Sequence, residues 1–196
     1  MVGSSGTLTI NGTVTIGSGG LLIDTDGKWD DLRFPASAVR VPGSGGPGAS
    51  AVVGGIQALA FDADSRESVH IHAQLPHAWK KTTDLSPHIH WCTTDSSGGK
   101  VVWGIEYTIA DVGDAFATPT TDIAAGTAAT TVHTLTAFDD VTMTSYSGPS
   151  TMLLVRLFRD STNSSDTHTK DAHLLEFDIH YRVNSLGSSG VASQGP

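Results

Sequence analysis

The chain has 196 residues, a formal net charge of −9 at pH 7 and one cysteine, Cys92. Its 11 Lys and Arg residues are scattered and form no cationic stripe, so we expect neither nucleic acid nor a membrane as a partner. One cysteine excludes an intrachain disulfide, and the sequence shows neither the pattern of a signal peptide nor a long apolar run. We expect a protein made in the cytoplasm, built as one domain with two tails.

The N-terminal segment contains a repeated hexad, GTLTIN followed by GTVTIG, over residues 6–17. Its apolar side chains all fall on even positions: Leu8, Ile10, Val14 and Ile16. In one extended strand these four share a face, which a single strand cannot bury. Neighbouring copies or a larger assembly would cover that face; an edge strand on the main domain, or a bulged hairpin, is the alternative. We expect residues 1–28 to be an attachment arm or an intersubunit strand.

The main domain reads as a succession of short strands. An acidic turn over residues 24–31 and a Gly/Pro-rich loop over residues 42–48 precede it. Alternating apolar residues predict strands at 56–60, 68–74, 85–93, 101–109, 132–136, 152–159 and 174–183. Seven strands without intervening helices predict an all-β protein, an antiparallel β-sandwich or jelly roll over residues 29–185. Residues 186–196 have nothing to bury and should form a flexible or neighbour-bound tail.

Alternation assigns the two faces of the last strand. The odd positions of residues 174–183, from Leu175 to Val183, are apolar and should face the core. The even positions are polar and should line the opposite face: Glu176, Asp178, His180 and Arg182.

Two His-x-His pairs lie in predicted strands, His70 with His72 and His88 with His90. Because alternate residues share a face, each pair projects from one side of a sheet. His88 and His90 can present imidazole nitrogens to one metal ion, with His180 from another strand as a third ligand.

A carboxylate, Asp178 or Asp95, would complete such a site. This resembles the first motif of cupins, in which a His-x-His pair is followed by a carboxylate and completed by a distant histidine. The glycine-rich segment that precedes the cupin pair is replaced here by residues 82–87.

Two other interpretations of the histidines stay open. Three chains that each supply one pair would offer six imidazoles at a symmetry axis, enough for a structural transition metal. Alternatively the histidines are ordinary polar residues, hydrogen-bonded to Glu106, Glu176 or Asp178. Histidines at an assembly contact would make assembly sensitive to mild acid.

Other candidate residues are better interpreted as structural. Cys92 follows Trp91 in a predicted strand and should be a buried, inert thiol. Glu106, Glu176 and Asp178 could act as the carboxylates of a glycosidase, but their alternation on sheet faces favours ion pairs. Their expected partners are Arg156, Arg159 and Arg182.

The four tryptophans divide into two groups. Trp91 and Trp103 lie in apolar strands and should belong to the core. Trp29 and Trp79 border predicted turns, and we expect them to seal a subunit contact, where tryptophan is enriched.

Several segments together are similar to a group of tailed-bacteriophage virion structural proteins of the head-decoration or head-fibre type. They are WDDLRFPASAVRVPG (29–43), QLPHAWKKTTDLSPHIHW (74–91), WGIEYTIADVGDAF (103–116), LLVRLFRD (153–160) and LLEFDIHYRVNSLGS (174–188). The block LSPHIHW is the most specific of these. The resemblance implies a non-enzymatic β-sandwich that assembles as a trimer on the virion, and it brings no catalytic residues.

We therefore expect a capsid-decorating or short head-fibre protein on the exterior of the phage particle. Residues 1–28 would dock on the major capsid protein or wind with neighbouring copies, and residues 29–185 would pack about a threefold axis. No cofactor is required, although His88, His90 and His180 could hold a structural metal ion. The alternatives are a tail-fibre component that recognises a host surface glycan and a cupin-like metalloenzyme.

Overall fold

The computed structural model describes residues 28–187 and 190, which form ten strands. They are β1 Lys28–Pro35, β2 Gly48–Val53, β3 Ile56–Phe61, β4 Ser68–Gln74, β5 Ser86–Thr93, β6 Lys100–Ala110, β7 Thr120–Thr127, β8 Thr134–Ala137, β9 Met152–Arg159 and β10 Ala172–Val183. The predicted arm residues Leu8, Ile10, Val14 and Ile16 lie outside the described residues, as does most of the predicted C-terminal tail.

The strands form two antiparallel sheets packed face to face. The first has the order β2-β3-β10-β5-β8, with β1 also pairing with β10, and the second has the order β4-β9-β6-β7. The pairing is nested: each strand from β3 to β6 pairs with a strand from the later half of the chain, taken in reverse order. The pairs are β3 with β10, β4 with β9, β5 with β8 and β6 with β7. Nested pairing of eight strands in two sheets is the arrangement of a jelly roll, so the predicted fold class is confirmed. None of the described residues forms a helix able to cross a membrane.

The core lies between the two sheets and is centred on aromatic side chains. Trp91 of the first sheet and Trp103 of the second are fully buried, with their ring centroids 5.9 Å apart in an edge-to-face arrangement. Trp91 Nε1 donates a hydrogen bond to Thr136 Oγ1 at 2.9 Å, which satisfies the indole inside the core. Both residues were predicted to be core, and this is confirmed.

A β-bulge changes the predicted face of one residue in β10. The register with β5 shifts between Leu174 and Glu176, where an extra residue is inserted. Leu174 is consequently buried in the core and Leu175 lies half-buried on the outside, so the assignment of Leu175 to the core was wrong. Beyond the bulge, Phe177 and Ile179 face inward as predicted.

The predicted acidic turn over residues 24–31 is wrong from Lys28 onward. Residues 28–35 form β1, which pairs with β10 along its whole length. Charged residues on both faces of β1 hid the strand pattern. Asp31 and Arg33 lie on the outer face, beside His180 and Glu176 of β10, and Asp30 on the other face accepts a hydrogen bond from the Tyr181 hydroxyl. Local composition could not reveal that pairing.

The sequence suggested that Trp79 seals a subunit contact, and this prediction was wrong. Trp79 is fully buried within its own chain, and its Nε1 donates a hydrogen bond to the Thr83 carbonyl at 3.1 Å. The turn that contains it folds over one end of the sandwich, where Trp79 bridges Val183 of β10. Trp29 on β1 is different: it is 50% exposed, and its ring lies 5.0 Å from the Arg182 guanidinium.

Replacement of Trp79 by Ala should lower the free energy of unfolding by about 3–5 kcal/mol, because it leaves a large cavity. Trp29→Ala should change it by less than about 1 kcal/mol, because much of that side chain is already in water. Urea unfolding followed by circular dichroism measures both values. Equal, small effects of the two substitutions would contradict the burial of Trp79.

Candidate functional site

The outer face of the first sheet carries a connected group of polar side chains, here called the histidine face. It consists of Asp31, Arg33, His88, His90, His133, Glu176, Asp178 and His180. Strand register brings them together: Asp178 of β10 is the Cα partner of His88 on β5, and His180 is the partner of Asp31 on β1. Their neighbours Phe177, Ile179 and Ile89 point into the core, so alternation forces these groups outward.

The centre of the histidine face is a buried contact between His88 and Asp178. His88 Nε2 touches Asp178 Oδ1, and both side chains are 7% exposed. Burial lowers the pKa of His88, against the opposing effect of Asp178, and therefore favours the neutral imidazole. Burial also raises the pKa of Asp178, while His88 and His90 act in the opposite direction. The pair is therefore a desolvated carboxylate beside a weakly basic imidazole.

A chain of imidazoles reaches Asp178 from the other side. His90 Nε2 lies 3.1 Å from Asp178 Oδ2, and His90 Nδ1 lies 2.6 Å from His133 Nε2. One assignment of protons satisfies both contacts: His133 Nε2–H donates to His90 Nδ1, and His90 Nε2–H donates to Asp178. The sequence did not single out His133, since it precedes a short strand and nothing nearby marks its contact with a residue 43 positions away.

Three residues of the histidine face can hold a metal ion. His88, Asp178 and His180 each offer a ligand atom, and these atoms lie within 4.8 Å of one another. The predicted ligands His88 and His180 thus meet, with Asp178 as the carboxylate. His90, the third predicted ligand, lies beside this group and is hydrogen-bonded to Asp178.

The alternative carboxylate and the second histidine pair lie elsewhere. Asp95 is in a turn, where its Oδ1 accepts a hydrogen bond from the Ser97 amide at 2.7 Å, so its proposed place in the metal site was wrong. His70 and His72 lie on β4 in the second sheet, and His70 is paired with Arg156 of β9. Burial, together with the charges of Arg40 and Arg156, lowers the pKa of His70.

A groove of about 440 Å³ opens beside the carboxylate of Asp178. It is lined by Asp31, Arg33, His90, His133, Leu175, Glu176 and Asp178. Arg33 and Glu176 form a two-fold hydrogen-bonded ion pair, at 2.6 Å and 2.9 Å, which lowers the pKa of Glu176. Because Arg33 is engaged in this way, Asp31 and Asp178 give the groove an acidic floor.

Glu106 does not form a glycosidase pair with Glu176, whereas Glu176 and Asp178 line the same groove. Glu106 lies on β6 in the second sheet and makes an ion pair with Arg156 at 2.7 Å, whereas Glu176 lies on the outer face of the first sheet. Two carboxylates on opposite outer faces cannot flank one glycosidic bond. The predicted pairing of Glu106 with an arginine is confirmed.

The other two predicted arginine partners have different roles. Arg159 is buried and binds Asp166 at 2.8 Å, together with backbone carbonyls of residues 61, 168 and 170. Arg182 lies over the ring of Trp29.

Comparisons with known proteins do not assign a family. No family model matches the sequence, and no curated protein matches it. This chain has some structural likeness to a solved structure of endo-1,4-beta-D-xylanase 10B from Clostridium thermocellum. That structure contains the N-terminal CBM22-1 and GH10 modules in complex with xylohexaose. The TM-score is 0.39 at 8% identity, over 83% of this chain and 27% of that chain. This chain therefore spans about a quarter of the length of that solved chain.

A second buried pair lies near the start of β10. His173 is the Cα partner of Cys92 on β5 and of Ala60 on β3, and it is 2% exposed. Neither ring nitrogen of His173 has a hydrogen-bond partner among the described residues. Burial raises the pKa of the Cys92 thiol, so the prediction of a buried, inert cysteine agrees with the structure. Burial lowers the pKa of His173, against a smaller opposite effect of Asp171.

The depressed pKa of His173 should make the fold sensitive to mild acid. Above pH ~6.5 the histidine is neutral in both states, but below that pH the unfolded chain binds a proton that the folded chain excludes. The free energy of unfolding should therefore fall as the pH drops below about 6.5, by at most about 1.4 kcal/mol per pH unit from this group. Urea unfolding between pH 5 and 7.5 should show a shallower slope for His173→Leu than for the native chain.

His72→Gln is the matched control, because His72 is exposed on β4. Its slope should equal that of the native chain. An unchanged slope in His173→Leu would show that His173 does not titrate differently on folding.

Proposed function

We propose that this chain is a structural protein of a tailed-bacteriophage virion, which decorates the exterior of the capsid as a decoration or short head-fibre protein and has no catalytic role. One observation carries the proposal beyond the sequence resemblance. Lys28, the first residue of β1, is the Cα partner of Val183, the last residue of β10. The chain therefore enters and leaves the sandwich at the same end.

This attachment end, defined by Lys28, Trp29, Val183 and Leu186, suits a protein that stands on a surface. The segments before Lys28 and after Val183 both continue from it, so either can reach the same underlying shell or the same neighbouring copy. Two apolar side chains are exposed here, Trp29 at 50% and Leu186 at 77%. Apolar exposure beside two chain continuations favours docking through this end.

Burial of apolar area at the attachment end would supply the binding energy. Burial of apolar surface contributes roughly 25 cal/mol per Å². For one interface of ordinary size, this free energy exceeds the entropic cost of association by a modest margin. Many copies on one shell add up to a large stabilisation of the particle. The trimeric state and the major capsid protein as partner rest on the resemblance alone, and any metal ion on the histidine face would be structural in this role.

The ion pairs of the strand carboxylates support a non-catalytic role. Glu106 and Glu176 are each engaged by an arginine, Arg156 and Arg33. Glycan recognition by a tail fibre is less well supported, because Trp79, Trp91 and Trp103 are buried and cannot stack on sugars. Trp29 is exposed, but Arg182 lies over its ring.

A binding measurement tests this proposal. Capsids of the phage that encodes this chain, prepared without it, should bind the purified chain, and Trp29→Ala should weaken binding by about 2 kcal/mol, or roughly 30-fold. Cosedimentation with varied chain concentration gives the affinity.

The matched control is Val132→Ala. Val132 is 54% exposed in a loop near Thr93, at the opposite end of the sandwich, and its loss should leave capsid binding unchanged. No binding of the native chain to capsids, or equal losses for the two variants, would contradict attachment through the end that carries Trp29.

A further inference from the structure

We propose that His88, Asp178 and His180 bind one divalent transition-metal ion per chain, in a two-histidine, one-carboxylate site with coordination positions open to solvent. The three ligands come from adjacent strands of one chain, so no symmetry axis is needed. This inference is independent of the virion role, since the isolated chain carries the complete ligand set.

The first argument is that a histidine nitrogen and a buried carboxylate oxygen are in direct contact at the centre of the site. In the tautomer with its proton on Nδ1, His88 donates to the Ser86 carbonyl, 3.4 Å away, and Nε2 is left unprotonated and able to bind a metal ion. Nε2 is the atom that touches Asp178 Oδ1. That oxygen is buried and has no hydrogen-bond partner among the described residues. A cation bound by both atoms, which would have to move apart to make room for it, would turn this contact into coordination.

The second argument is that the buried charge of Asp178 lacks a permanent cation. Arg33 is the Cα partner of Asp178 on β1, but its guanidinium binds Glu176. The groups that face Asp178 are otherwise imidazoles from β5 and β10 and the further carboxylate of Asp31. Buried carboxylates in proteins are paired with a cation or coordinate a metal ion.

The third argument is the set of contacts behind the ligands. Metal-binding histidines and carboxylates are usually oriented by hydrogen bonds from the side away from the ion. His90 Nε2 lies 3.1 Å from Asp178 Oδ2 and is held in turn by His133. Asp31 Oδ1 lies 2.9 Å from His180 Nε2 and adds negative charge beside that ligand. His90 is thus a positioning residue, although the sequence predicted it as a ligand.

The ligand set selects the class of ion. Two imidazoles and one carboxylate suit Zn²⁺, Fe²⁺, Co²⁺ or Ni²⁺ better than Ca²⁺ or Mg²⁺, which prefer oxygen ligands. Ligands about 2.1 Å from a tetrahedral ion lie ~3.4 Å apart. The contact between His88 and Asp178 must therefore open slightly, and the largest separation in the group, up to 4.8 Å, must close. Rotation of the His180 side chain, which is 45% exposed, can supply that movement.

The test is metal titration of the untagged, full-length chain after treatment with a chelator. Zn²⁺ should bind at one equivalent per chain in competition with a chromophoric chelator, and Co²⁺ should give the visible absorption of a site with nitrogen and oxygen ligands. Asp178→Asn keeps the size of the side chain but removes its charge, and should weaken Zn²⁺ binding by at least about 100-fold. His90→Gln should weaken it by roughly 10–100-fold without changing the stoichiometry.

The double variant His70→Gln/His72→Gln is the matched control. It removes a His-x-His pair of the same spacing on β4, beside Arg40 and Arg156, and should bind Zn²⁺ as the native chain does. Zn²⁺ should also raise the thermal midpoint of the native chain and the control, but not that of Asp178→Asn. Absence of stoichiometric binding, native affinity in Asp178→Asn, or loss of binding in the control would overturn the proposal.

Discussion

The antiparallel ladder that joins β10 to β1 on one side and to β5 on the other determines where every functional feature lies. Its register sets Asp178 opposite His88 and His180 opposite Asp31. The same register pairs Lys28 with Val183 and so places both chain continuations at one end. A slip by one residue would exchange the inner and outer faces, and would bring polar residues into the core. Burial of Phe177 and Ile179 sets the register of β10, and that register places both the core residues and the polar residues of the histidine face.

The two surfaces that follow from this ladder are chemically different. The attachment end exposes apolar side chains beside the entry and exit of the chain, which favours contact with another protein. The histidine face is polar, concave and acidic at its floor, with imidazoles whose contacts leave a buried carboxylate oxygen unsatisfied. The exposed apolar end is suited to assembly and the histidine face to binding a metal ion, and neither property depends on the other. The proposed decoration role is compatible with both, since a bound ion would link strands of the sheet that contains β1.

Local patterns predicted those parts of the structure that depend on alternation within one strand. β4 and β9 have the predicted bounds, and His88 and His90 share a face as expected. The failures arise where distant parts of the chain meet. The bulge that turns Leu175 outward, the cover of Trp79 by its own turn, and the contact of His133 with His90 all depend on tertiary pairing. β1 was not predicted as a strand, because its charged residues find their partners only in the paired strand β10.

Electron cryomicroscopy of intact particles tests the proposed capsid role most directly, because the β1–β10 pairing fixes at which end of the sandwich Lys28 and Val183 lie. The account predicts many copies on the outside of the head, each with the Lys28–Val183 end toward the shell and the loop that carries Val132 pointing away from it. A few copies at the tail, or copies on the head with the Lys28–Val183 end facing solvent, would contradict it.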